Sequence, residues 1–181
     1  PCLRTDFAEI AAVIHKYCNP GILSLPSNGL LPTTIEKTVR KILDVYSQGT
    51  VIVNLSLDGI DGKHDEIRGV PGNFEKSMDT YDRLIELKRE YKNLEVGVHS
   101  VVSKFNVDKL MDTYEYVTKK LGPDSYICEI AEHRNELFNR GDDISPDIPA
   151  YEEFIRKLSK GIREDSSKWK GVPKLIQAFR L

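Results

Sequence analysis

The stretch NLSLDGIDGKHDEIRGVPGNF, Asn54 to Phe74, gathers the groups best suited to chemistry. Ser56 and Asp58 stand where a β-branched apolar run gives out, and Arg68 lies twelve positions beyond Ser56. A guanidinium offers five donors in a fixed fork that suits a carboxylate or phosphate, and a serine hydroxyl adds a further donor. Two readings stand side by side. One is a ligand mouth that holds an anion; the other is a solvated loop in which Asp65 and Arg68 pair with each other to little effect. His64 reads as a loop histidine rather than a base.

Similar short polar residues end three other apolar runs: Ser27 and Asn28, Ser100 and Ser103, Glu129 and Glu132. Each alone is an ordinary turn former. Together they point to ligand binding, because parallel α/β folds collect ligands at the carboxyl ends of their strands. Cys2, Cys18 and Cys128 show no metal-ligand spacing. Cys18 and Cys128 read as small buried apolar residues, while Cys2 lies close to a strand end. Glu132, His133 and Arg134 could be acid–base machinery, with a loop salt-bridge network the simpler reading.

Positioning these residues requires alternating strands and helices. Asp6 with Glu9, and Thr33 with Glu36, have capping-box spacing and predict helices that start beside them. Asn19-Pro20 stops the first. GILSLPSNG predicts a short strand closed by an Asn28-Gly29 turn. TVIVNLSL predicts a strand covered on both faces. A helix is expected over Asn73–Tyr91 with Phe74, Met78, Tyr81 and Ile85 inward, then a strand at LEVGVHSVV and a helix from Asn106 with Leu110, Tyr114 and Val117 inward. SYICEI is the last strand, and a helix is expected near Ala150–Arg163. This alternation means βαβ units with right-handed crossovers, an α/β class that forms a partial barrel or open parallel sheet. The strands are too few for a closed eight-fold barrel.

The averages narrow the class. In 181 residues, 40% hydrophobic and 30% charged, there is material for one soluble domain with its own core. The net charge of −2 offers no broad basic face for nucleic acid. No apolar run approaches the roughly 20 residues of a membrane span, and PCLRTDFAEI is no signal peptide. An odd number of cysteines fits a reducing compartment, the cytoplasm. Pro1 in place of Met, and the helical spacing of Val172, Leu175, Ile176 and Phe179 running to Leu181, suggest a piece of a longer protein.

The SLDG strand end followed by HDEIRGVPGNF resembles the middle of a radical S-adenosylmethionine (radical SAM) domain, where a Ser-x-Asp-Gly strand end precedes His-Asp-x-x-Arg-Gly-x-x-Gly-x-Phe and a helix. LPSNGLLP resembles that family's preceding strand, with Ser27 in place of Thr, and VGVHSVVSKFNVDKL its next strand, with Ser100 in place of Thr. The opening PCLRTDFAEI resembles the family's sequence just beyond Gly-Gly-Glu in its Gly-Gly-Glu-Pro motif. The likeness reaches to about Glu132. It implies a (β/α)6-type partial TIM barrel over residues 1–135, then a loop and C-terminal helices over 136–181. It also implies that Ser56 and Arg68 bind the methionine carboxylate of S-adenosylmethionine (AdoMet), that Asp58 and Asn28 line the same mouth, and that Ser100 approaches the adenosyl part. The family further uses a [4Fe–4S] cluster held by a Cys-x-x-x-Cys-x-x-Cys loop. That loop is absent, so this chain is expected to bind no cluster and to be inactive alone, in a parent acting on an unknown substrate. With its neighbour missing, the GILSLPSN strand would expose an apolar edge, which favours a homodimer or swapped oligomer. Two other classes remain: a non-catalytic βα domain holding a small anion at its strand ends, and a cluster-independent enzyme using Glu129, Glu132 and His133.

Overall fold

A computed structural model describes residues 2–131 and 143–165. Four parallel strands pair strictly in chain order: β1 (Ile22–Ser27), β2 (Thr50–Ser56), β3 (Leu94–Val102) and β4 (Ser125–Ile130). Helices connect them: α1 (Phe7–Cys18) precedes β1, and α2 (Pro32–Val45) links β1 to β2. The link from β2 to β3 is a pair, α3 (Gly62–Arg68) and α4 (Asn73–Glu90). Next come α5 (Leu110–Tyr116), which runs into one π-helical turn at Val117–Leu121, and after β4 the helix α6 (Ile148–Asp165). This is the α/β barrel-segment architecture that the alternation of patterns predicts. Among the described residues no helix is long and apolar enough to cross a membrane.

The sheet has two unlike faces. Val51, Val53 and Leu55 of β2, with Val96 and Val98 of β3, are buried beneath the helices, where Ile42, Leu43, Leu84 and Leu110 meet them in one core. Fully burying each Leu or Ile is worth about 1.5–3 kcal/mol, so this face holds the fold together. The alternate residues of β2 (Thr50, Ile52, Asn54, Ser56) are only half-buried. The expectation of a strand covered on both faces is therefore corrected. Side chains alternate along a strand, and here the second face is the more open one. Phe154 and Leu158 of α6 join the same core.

The helix starts depart from the capping-box reading. Asp6 commits its carboxylate to Arg4 (2.9 and 2.7 Å) and makes no cap bond to α1. Pro32 takes the first position of α2, which places Thr33 inside the helix instead of at its cap. On α4, Ser77 and Thr80 are buried in addition to Phe74, Tyr81, Leu84 and Leu87, while Met78 and Ile85 are only partly covered. The reason is polar. The hydroxyls of Ser77 and Thr80 donate to the carbonyls of Asn28 and Gly29 at 3.2 and 2.6 Å, fastening α4 to the turn after β1. Cys18, expected to be buried, is exposed at the end of α1, whereas Cys128 is buried as expected.

Candidate functional site

The site is built where β1, β2 and β3 end. Ser56 closes β2 on the open face, level with His99 of β3. A cavity of about 260 Å³ opens beside it, lined by Ser56, Ser27, Asn28, Pro26, Leu31 and Cys2. Ser56, Asn28 and Cys2, the last from the turn before α1, thus meet at one mouth. Ser27 accepts the Gly29 amide (3.2 Å) and Asn28 accepts the Leu30 amide (3.3 Å), so both side chains also shape the turn.

Arg68 does not pair with Asp65. Its guanidinium reaches the carboxylate of Asp58 at 2.6 Å, with Asp58 nearly buried. Asp65 instead accepts the amides of Gly72 (2.6 Å) and Phe74 (2.8 Å), capping α4 from the preceding helix. The Phe74 bond above all holds the Asp65 carboxyl below its ordinary range. The solvated-loop reading fails on this point: the segment between Asp61 and Gly69 is a helix, closed by Gly69 in the left-handed conformation. His64 is fully buried, and its Nδ1 accepts the Asp58 amide at 3.2 Å. The imidazole is therefore neutral at Nδ1, and burial, reinforced by the nearby Arg68 charge, lowers its pKa.

Ser100 lies elsewhere. It is fully buried on the helix-facing side of β3, donating to the Leu57 carbonyl and sharing a 3.0 Å bond with the Tyr126 hydroxyl. It braces the strand end from behind and does not reach the mouth. Ser103 is tied to Asn106. Glu129 faces His99 at 3.2 Å, while Glu132, His133 and Arg134 lie outside the described residues, as do Pro1 and the C-terminal helical pattern. Sequence reasoning missed the roles of His99 and Asn106. His99 shares a face with Ser56 through the β2–β3 register, which alternation within either strand does not reveal.

Of the two groups that the resemblance implies, the residues fit one. Arg68 Nε is buried and has no hydrogen-bond partner, although its neighbouring nitrogen is anchored on Asp58. An unmet donor beside an anchored fork fits a ligand carboxylate. A cluster does not fit. Among the described residues no group of three His, Cys, Asp or Glu could hold a metal ion. Cys2 is half-buried, Cys18 exposed, and Cys128 buried with its thiol pushed up to about 11.

Comparison with known proteins agrees with this fold. No protein-family model matches the chain. Native anSMEcpe with bound AdoMet and Cp18Cys peptide superposes over 95% of this chain and 46% of its own length, with a TM-score of 0.62 at 20% identity. The same protein with bound AdoMet and Kp18Cys peptide gives 0.53 at 16% identity, over 95% of this chain and 55% of its own. The chain is 37% identical over 67 residues to the sporulation killing factor maturation protein SkfB of Bacillus subtilis, and 28% identical over 127 residues to the AdoMet-dependent heme synthase of Methanosarcina barkeri. Those matches take in 37% and 70% of this chain, but only 15% and 33% of the relatives' lengths. In fold, and over the matched stretches in sequence, the chain is thus similar to AdoMet-dependent proteins, in line with its resemblance to the radical SAM superfamily.

Proposed function

We propose that the chain is the AdoMet-carboxylate-binding part of a radical SAM enzyme, with Arg68 and Ser56 as the carboxylate's partners. The observation that carries this is the unpartnered Arg68 Nε beside an Asp58-anchored guanidinium. Asp58 fixes the plane of the fork, so little rotamer entropy remains to be lost when a carboxylate docks. Ser56 adds a hydroxyl donor from the half-buried end of β2, and Asn28 lines the adjoining cavity. Ser100 and Tyr126 keep the β3 end rigid behind them. In a whole protein, bound AdoMet would supply a 5′-deoxyadenosyl radical for hydrogen abstraction. No described group of residues could ligate a cluster, so the chain alone binds AdoMet without cleaving it. The substrate belongs to the rest of such a protein, and the free cysteines support a reducing, cytoplasmic setting.

Calorimetric titration of the chain with AdoMet and with 5′-methylthioadenosine, which lacks the carboxylate, tests the assignment. AdoMet binds about tenfold tighter, and Arg68→Ala abolishes the difference. Equal affinities in both proteins overturn it. If inorganic phosphate competes as well as AdoMet, the small-anion domain takes its place.

We also propose self-association through the β1 edge, where Ile22 is 50% exposed and, among the described residues, no strand pairs on the outer side. Light scattering at micromolar concentration should give a dimeric mass, and a monomeric mass rejects the edge as an interface.

A further inference from the structure

Every polar group of Asp58 is engaged. Its amide donates to His64 Nδ1 at 3.2 Å, and its carbonyl accepts from Asn106 Nδ2 at 3.0 Å. One carboxylate oxygen accepts the Val101 amide at 2.8 Å, and the other holds Arg68 at 2.6 Å. Asn106 is itself fixed, with a second Nδ2 bond to the Val101 carbonyl and its Oδ1 accepting the Ser103 amide, each at 2.8 Å. Both His64 and Asn106 are buried.

We propose that His64 and Asn106 are positioning residues that clamp the backbone of Asp58, and that through the Asp58 carboxylate they set where Arg68 presents its unpartnered Nε. This rests on the reading of Arg68 as the AdoMet carboxylate partner. An ion pair alone would leave Asp58 free to swing with its loop. Gripping its amide from α3 and its carbonyl from the turn after β3 leaves only the side-chain torsions, and the Val101 amide fixes those. The guanidinium is then held to the narrow geometry that a bidentate contact needs.

The clamp depends on protonation. A proton on Nδ1 turns the acceptor into a donor facing another donor, and the bond to Asp58 is lost. The charged groups around His64 are Asp58 after β2 and Asp65 and Arg68 on α3, while α4 brings Asn73 and the Phe74 ring at 6.4 Å. Burial comes first and Arg68 second in lowering the imidazole pKa below its usual 6.5, against the opposing pull of Asp58 and Asp65. A group depressed in the folded state contributes its full stability above the unfolded value and loses it as pH falls through the folded one. The clamp therefore holds at neutral pH and opens only in acid.

The test uses the 181-residue chain, labelled with ¹⁵N. In the absence of ligand, lowering the pH from about 7.5 to about 5 should move the Asp58 amide and Arg68 Nε–H resonances together with the His64 ring nitrogens. AdoMet affinity should fall about tenfold in His64→Phe and in Asn106→Ala, with His64→Gln, which keeps an acceptor, recovering most of it. If Arg68→Ala weakens AdoMet while both positioning variants bind normally and the Arg68 resonance ignores His64, the clamp is wrong and the carboxylate site stands. If Arg68→Ala leaves AdoMet binding unchanged, the carboxylate reading is wrong. The ligand-free resonances still decide the clamp: movement in concert upholds it, and independent titration overturns it. They also settle it should His64→Phe fail to fold.

Discussion

Asp58→Ala lowers the thermal unfolding midpoint by roughly 6–12 °C, because losing one partner of a buried pair costs about 3 kcal/mol and each kcal/mol moves a domain of this size by about 2–4 °C. The figure sits at the low end of the range for such pairs. The Arg68 side chain is 28% exposed against 6% for Asp58, so water hydrates part of the freed guanidinium. The same change strands the Val101 amide, which has no other acceptor to turn to inside the strand end. Asp58→Asn keeps an oxygen for Val101 and loses less. Arg68→Ala leaves a carboxylate unpaired in the more buried position, so its effect is comparable. Melting curves of the two alanine variants and their combination check this: the double variant should lose less than the sum of the singles. A fall under about 2 °C in Asp58→Ala would mean that the pair behaves like a surface bridge.

Gly29→Ala should be nearly as damaging, for a reason of backbone and space. Gly29 has φ 72°, in the left-handed region, and a Cβ there would lie 2.6 Å from Ser77 Oγ and 2.8 Å from Ser77 Cα. The hydroxyl could turn away, but the Cα belongs to the middle of α4 and cannot. The conformational cost is about 1 kcal/mol and the overpacking about 1–3 kcal/mol, which together lower the midpoint by roughly 4–16 °C. The turn would also lose the Thr80 and Ser77 bonds to its carbonyls, releasing Asn28 from the mouth. Gly62→Ala is the matched control, since Gly62 is helical and a Cβ there meets nothing within 4 Å. Denaturant unfolding of the two variants separates the cases, and equal midpoints would refute the packing argument.

The architecture was legible in the sequence wherever burial decides conformation. The four strands fall where apolar, β-branched runs predict them, and the inward residues Leu110, Tyr114 and Val117 are buried as their spacing requires. The features that escaped are decided by polar contacts between distant residues. GKHDEIR forms a helix because Gly69 ends it and the buried His64 anchors it, although its charges read as a solvated loop. Arg68 pairs with Asp58 and not Asp65 because Asp65 is already committed to two amides at the start of α4, a commitment that spacing alone does not reveal. Ser100 failed as a mouth residue on parity. Ser56 is level with His99, so the next residue along β3 must point to the helices. Matching the two strands by their serines puts Ser100 opposite Ser56, one residue away from the true register, so the pairing itself was needed to place it.

The bonds that fix Asp58 span very different stretches of chain: His64 and Arg68 are close along the sequence, whereas Val101 and Asn106 come from the following βα unit. Because each strand pairs only with its sequence neighbour, every strand joins at the closure cost of a single connection, a cost that grows slowly with loop length. Arg68 is thus not fully oriented by its own βα unit, and is so only with β3 paired to β2. Ligand competence is accordingly a property of two adjacent units joined together, and any local opening that separates β2 from β3 abolishes it before the core beneath either strand is exposed.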